Sequence, residues 1–362
     1  MAGILDTVSS SQQTEALRNF NPQGQILDYL RELGQRESQI LINRYGLRDG
    51  LPQTLEQIGK ELHLTRERVR QVEKNALKKL AGKRLPAELQ TNADFIFQLI
   101  EDRGNIIRET ALQNLLTQDG VGAKNCLLFI LRIVPRFNYM KETEGAHACW
   151  YLSGFDRETF EELVGVSKQI LEESKKALKP EVLFEKIRTN GSPEIKNLSD
   201  AAIESMITAT KLIDRNPFGE WGLSNWSEIN PSDVGDKAFL VLEHHEKPEH
   251  YAAITELINR QLSPDRAAHK ETVHNELIKD DRFVLVGRGI YALTKWGYKK
   301  GVVADVIDSV IRKLGHPLTK EEIIAEVMKQ RIVKRNTIIV GLSNRSRFAK
   351  TSDNKYTTAG NV

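Results

Sequence analysis

Apolar positions recur with helical spacing from Ile26 onward: Ile26, Leu27, Leu30 and Leu33, then Ile40, Leu41 and Ile42. The pattern stops at Tyr45-Gly46-Leu47-Arg48-Asp49-Gly50-Leu51-Pro52, a string of turn formers. A second amphipathic stretch starts at Thr54 and puts Leu55, Ile58 and Leu62 on one face. A third opens at Thr65, whose hydroxyl suits an N-cap, and carries Val69, Val72, Ala76 and Leu80. Two such helices across a three- or four-residue turn predict a helix-turn-helix, with Gly59 allowing close approach. The polar face of the third helix reads Arg66, Glu67, Arg68, Arg70, Gln71, Lys74 and Lys78. Ahead of these helices, residues 1–21 are rich in Ser and Gln and read as a flexible tail.

Beyond residue 84 a pattern repeats. Four strand-like segments each turn back through a polar or Gly-containing stretch to an aromatic followed two residues later by Leu or Thr: Phe137 to Leu152 through Trp150, Leu212 to Leu223 through Trp221, Phe283 to Leu293 through Tyr291, and Phe348 to Thr358 through Tyr356. The aromatics are 71, 70 and 65 residues apart, and each hairpin follows two or three amphipathic helical patterns. Helices followed by a hairpin in units of this length describe winged helices. The four aromatics read as hairpin core rather than as a stacking platform for bases. The fold class expected is therefore mainly α: a helix-turn-helix at 22–84, then tandem winged-helix modules at 90–155, 156–230, 234–298 and 300–360.

Charge changes this picture more than composition does. The 362 residues are 40% hydrophobic and 28% charged, enough apolar side chains to fill several cores. No run of apolar residues is long enough for a membrane span, and the N-terminus lacks the pattern of a secretory signal. Two cysteines, Cys126 and Cys149, make neither a disulfide framework nor a metal cluster and suit a reducing cytoplasm. The net charge is only +3, yet Thr54 to Arg84 holds nine Lys/Arg against four Asp/Glu, and Lys295 to Lys355 holds fourteen against six. Two basic zones flank an acidic middle, the electrostatic footprint of a polyanion partner. Around the second module's corresponding helix stand Asp200, Glu204 and Asp214, which would repel phosphates, so that module reads as a spacer or protein contact.

Signatures of catalysis are missing. His245 and His250 stand five apart with Pro248 between them, not the i, i+4 spacing of a zinc-protease helix. No Gly-rich loop ends in Lys-Ser/Thr, and Pro264-Asp265 is not followed by the Glu-x-Lys of a nuclease. The expectation is a non-enzyme that uses no cofactor, metal or small-molecule substrate.

The stretch from Thr54-Leu55-Glu56-Gln57-Ile58-Gly59 through Thr65-Arg66-Glu67-Arg68-Val69-Arg70-Gln71-Val72-Glu73-Lys74 to Leu80 closely resembles region four of sigma-70 type transcription factors. Arg36 to Leu41 and Arg44-Tyr45-Gly46-Leu47 extend the resemblance upstream, so that it covers about residues 22–84. It implies that the third helix enters the major groove of a promoter element, with Arg66, Glu67 and Gln71 at bases and Thr65, Arg68, Arg70, Lys74 and Lys78 completing the DNA contact. The chemistry agrees: Arg pairs with guanine, Glu accepts from cytosine, and Gln bonds adenine. One departure is His63, where the family commonly has a turn glycine; His tolerates the left-handed region better than most residues. Residues 234–298 resemble the HARE-HTH module and the amino-terminal domain of the RNA polymerase delta subunit. The marks are Asp281 to Gly287, Gly289-Ile290-Tyr291-Ala292-Leu293 and Trp296-Gly297-Tyr298. In the last module Lys334 to Ile339 would open a recognition helix, and Arg335, Asn336, Asn344, Arg345 and Arg347 read equally as a second DNA contact or a solvated basic surface.

No segment ahead of residue 22 matches the promoter-melting region of a complete sigma factor, so the chain is not expected to open promoters alone. The leading expectation is a transcription regulator that binds double-stranded DNA, with core RNA polymerase as a second partner. The alternative is a delta-like polymerase accessory subunit acting through protein contacts. A third reading is a nuclease or modification component without its catalytic domain.

Overall fold

The computed structural model describes residues 22–48, 50–117, 121–262, 267–298 and 301–359. The expected tail at 1–21 and the Pro264-Asp265 pair lie outside the described residues. The fold is mostly helical with small antiparallel sheets, and no described helix is long and apolar enough to cross a membrane. The chain divides into two compact units, one ending at Asp214 and one starting at Arg215.

The first unit begins with α1 (Gln23–Leu30), α2 (Gln35–Tyr45), α3 (Leu55–Leu62) and α4 (Arg66–Ala81). The periodicity that reads as continuous from Ile26 to Ile42 is broken at Arg31–Gly34. There Gly34 adopts an extended conformation and starts α2. Next come α5 (Ala87–Glu101), β1 (Ile106–Arg108), α6 (Glu109–Leu116), α7 (Val121–Ile133), β2 (Asn138–Met140) and β3 (Cys149–Tyr151). This is a winged-helix-like order, its sheet running β1-β3-β2 with Trp150 opposite Ile107 and Tyr139. One hydrophobic core runs through all of it, from Ile26, Tyr29 and Leu30 through Ala76 and Leu80 to Phe129, Ile130 and Trp150. Both cysteines are buried, and burial pushes the Cys126 thiol up to about 11 and Cys149 to about 12.

The unit is completed by α8 (Arg157–Ser174), α9 (Pro180–Asn190), the short α10 (Pro193–Lys196) and α11 (Asp200–Ala209). The hairpin tip at 143–147 bonds to the end of α11: His147 N–H donates to Ala209 O at 2.9 Å and Lys211 N–H to Gly145 O at 3.0 Å. Strands β4 (Ile213–Arg215) and β5 (Trp221–Leu223) fall where the sequence places a hairpin.

In the second unit, α12 (Val234–His245), β6 (Glu249–His250), α13 (Tyr251–Gln261), α14 (Lys270–Lys279), β7 (Phe283–Gly287) and β8 (Ile290–Leu293) repeat the winged-helix-like order. Arg282 explains part of the motif around it. It donates to Asp236 at 2.8 Å and to Asp280 at 2.6 Å, and lies over the Phe239 ring, tying β7 to α12. The last elements are α15 (Val303–Leu314), α16 (Lys320–Gln330), α17 (Arg335–Leu342), β9 (Phe348–Lys350) and β10 (Tyr356–Thr358), with a core of their own around Ile307, Ile323 and Ile338. Trp150, Trp221 and Tyr291 are buried and Tyr356 is half-buried, as core aromatics should be.

Candidate nucleic-acid interface

Local chemistry sets the angle between α3 and α4. Thr54 caps α3 through a reciprocal box with Gln57: Gln57 N–H donates to Thr54 Oγ1 at 3.2 Å, and Thr54 N–H donates to Gln57 Oε1 at 2.8 Å. His63 ends the helix in the left-handed conformation, φ 53°, which His adopts at tolerable cost. Leu64 N–H then donates back to Gly59 O at 2.8 Å, folding the turn over Gly59. Thr65 caps α4 by accepting from Arg68 N–H at 3.2 Å. Ile40, Ile58 and Val69 close a small core beneath the turn with Leu55, Leu62, Leu64 and Val72.

A Cβ on Gly59 would lie 2.7 Å from Leu64 O, a backbone atom that cannot rotate away. Gly59→Ala should therefore destabilise the first unit by about 1–3 kcal/mol, although alanine favours a helix by about 1 kcal/mol over glycine. Thermal melting checks the sign. A rise in Tm would show that the turn is looser than this contact implies.

Helix α4 buries Val69, Ala76 and Leu80. Glu67, Gln71, Lys74 and Lys78 recur at i, i+4, i+7 and i+11, opposite that apolar stripe, and all four are exposed. Arg66, Arg68 and Arg70 flank them and are also exposed. Asn75 joins this face and is absent from the sequence expectation, although its spacing from Gln71 marks it. The outward groups are partly paired among themselves. Arg70 grips Glu67 with two hydrogen bonds, Nη2 to Oε1 at 2.7 Å and Nε to Oε2 at 2.9 Å. Those bonds hold the Glu67 carboxyl below the usual carboxylate range, so it is an acceptor at neutral pH. Arg68 Nη1 donates to Gln71 Oε1 at 3.3 Å, which orients the amide.

Not every cation in this zone is available. Lys60, Lys79 and Lys83 pair with Glu56, Glu37 and Glu32 at 3.0, 2.6 and 3.0 Å. Arg66, Arg68, Lys74, Lys78 and Arg84 form no ion pair among the described residues. Other contacts brace the back of the helix. Tyr29 Oη donates to Leu80 O at 3.0 Å, and Tyr45 Oη donates to Glu73 at 3.0 Å. Burial and the Glu73 charge push the Tyr45 hydroxyl up to about 12, so it stays a donor.

The platform behind α4 comes from the neighbouring module. Helix α7 packs against α1, α2 and α4. Phe129 is fully buried with its ring 5.3 Å from that of Tyr45 at 62°, and Asn125 Nδ2 donates to Gly50 O at 3.1 Å. Helix α11 is buried too: Ala202, Ile203, Ser205, Met206, Ile207 and Ala209 are covered, and Ser205 Oγ donates to Ile106 O on β1.

At the far end of the chain, the structure places the other four expected residues around α17. Arg335 pairs with Glu321 and Arg347 with Asp305, both at 2.8 Å. Asn336 and Arg345 are exposed, and Arg345 forms no ion pair among the described residues.

Residues 29–81 match the family model described as Sigma-70, region 4. Over 56 residues the chain is 52% identical to RNA polymerase sigma factor SigA of Clostridium acetobutylicum, covering 16% of this chain and 15% of that protein. It is 39% identical over 80 residues to RNA polymerase sigma factor SigA4 of Synechococcus elongatus, 22% of this chain and 26% of the relative. It is 44% identical over 72 residues to RNA polymerase sigma factor SigA of a Bacillus species, 20% of this chain and 18% of the relative. The chain thus spans about a quarter or less of the length of these relatives.

Proposed function

We propose that this chain is a DNA-binding transcription factor associated with RNA polymerase, reading promoter-like duplex DNA through α4. The observation that carries this reading is the outward stripe of Glu67, Gln71, Lys74 and Lys78 on a capped, braced helix within a segment similar to sigma factors. Arg66 and Gln71 would meet base edges, with Glu67 held by Arg70 as an acceptor for cytosine N4. Lys74 and Lys78 would lie along phosphates, with Arg68 beside Gln71. Thr65 keeps its hydroxyl proton for a phosphate while its oxygen caps the helix. A delta-like accessory role is favoured by one feature, Ile278, an apolar side chain 65% exposed on the mixed-charge face of α14. That is a surface for protein rather than for phosphate.

Fluorescence anisotropy with the full chain tests the α4 reading. Arg66→Ala or Gln71→Ala should cost about 1–3 kcal/mol on the preferred duplex and relax preference at one position. Lys78→Ala should weaken all duplexes alike and lower the log-affinity against log-salt slope by about 0.9. Equal losses for all three, with sequence preference intact, would refute base readout by α4.

A further inference from the structure

Five helices stand last in chain order within their modules, before the hairpin or the module's end: α4, α7, α11, α14 and α17. Helix α7 is covered by the helix-turn-helix and α11 by β1, so neither presents a face to a groove. Helix α14 exposes Lys270, Glu271, Thr272, Asn275, Ile278 and Lys279, a face of mixed charge whose Lys270 and Glu271 stand beside each other. Helix α17 differs from all three. It buries Ile338 and Leu342 against its own module and exposes Asn336, Thr337 and Val340 at i, i+1 and i+4, on one side.

Val340 is 72% exposed, which serves no packing role within its module. The same module carries Lys334 at the N-cap of this helix, Arg345 three residues beyond its end and Lys350 on β9. All three are exposed and form no ion pair among the described residues. The nearby carboxylates Glu321 and Asp305 are occupied by Arg335 and Arg347, and Asp353 is the acid in the β9–β10 turn. An exposed apolar and amide-bearing strip, in a module that also carries unpaired cations, suits a duplex groove: methyl and amide groups for base edges, cations for phosphates.

We infer that α17 is a second duplex-DNA contact, separate from α4, with Asn336 bonding an adenine edge and Thr337 and Val340 against thymine methyl groups. Lys334, Arg345 and Lys350 bind the flanking phosphates. The site reads A·T-containing steps and does not depend on base readout by α4.

A chain silenced at the first site by Gln71→Ala, Lys74→Ala and Lys78→Ala isolates the second. Its binding to a 40-base-pair duplex is followed by anisotropy over a salt series. The silenced chain should still bind, and Val340→Asp, on the exposed face and checked by circular dichroism melting, should weaken that binding about tenfold or more. Asn336→Ala should reduce the preference for A·T-containing over all-G·C duplexes by about five- to 150-fold. Arg345→Ala should lower the salt slope by about 0.9. Absence of duplex binding by the silenced chain overturns the inference. So does unchanged affinity in folded Val340→Asp, including the case in which that variant instead loses capture of core RNA polymerase.

Discussion

Residues 22–84 cut from the rest of the chain should melt at a temperature on the order of 20 °C below residues 22–214. The helix-turn-helix owns a core of only three fully buried side chains, Ile40, Ile58 and Val69. The larger apolar surface of its helices, including Ile26, Tyr29, Leu30, Leu41 and Leu80, belongs to a core completed by α5 and α7. Uncovering even two or three such side chains costs about 1.5–3 kcal/mol each. In a domain of this size each kcal/mol moves Tm by roughly 4–8 °C. Matched melts by circular dichroism, followed by binding to the same duplex below both transitions, check the expectation. Equal Tm values would mean that α1, α2 and α4 cover one another without the neighbouring module, and the platform role of α7 would fall.

Helix α4 was legible in the sequence because its determinants are local. Thr54 and Thr65 as caps, Gly59 under the turn and His63 in the left-handed region all act within a few residues of themselves. The hairpins were legible for the same reason, since alternation and a core aromatic declare a strand wherever its partner lies within a short turn. What α7 touches was not legible. A helix carrying Cys126, Leu127, Phe129 and Ile130 reads as core whether the core is its own or a neighbour's, and Asn125 meets Gly50 across 75 residues of chain. Charge counting failed in a similar way at the C-terminal end. Arg335 and Arg347 count as free cations in the sequence, whereas Glu321 and Asp305, 14 and 42 positions away, hold them in the fold. Position in sequence is blind to such pairs, and exposed pairs of this kind contribute little stability while still lowering the charge offered to a phosphate.

Phe129→Ala should destabilise the first unit by about 3–5 kcal/mol and weaken duplex binding by α4 at temperatures where part of the unit has opened. The ring is fully buried and meets the Tyr45 ring edge-on at 5.3 Å, so truncation leaves a cavity where α7 abuts the helix-turn-helix. Loss of the aromatic pair adds about 0.5–1.5 kcal/mol beyond burial, included in that range. Tyr45 in turn donates to Glu73 on α4, so slack in its ring reaches the back of that helix. Phe129→Leu keeps most of the volume and should cost less than about half as much. Thiol reactivity gives a second readout in the same samples. Cys126 lies three residues away on the same helix, fully buried with its thiol pushed up to about 11, and alkylates only when this core opens. Alkylation of Cys126 at pH 8 should therefore accelerate by roughly the fold-change in unfolding equilibrium, about two to four orders of magnitude for 3–5 kcal/mol. A variant with a lowered Tm, unchanged Cys126 protection and unchanged duplex affinity would show that Phe129 supports its own module alone. Parallel loss of protection and of duplex binding, restored together by leucine, would show that the neighbouring core holds α4 in place for binding.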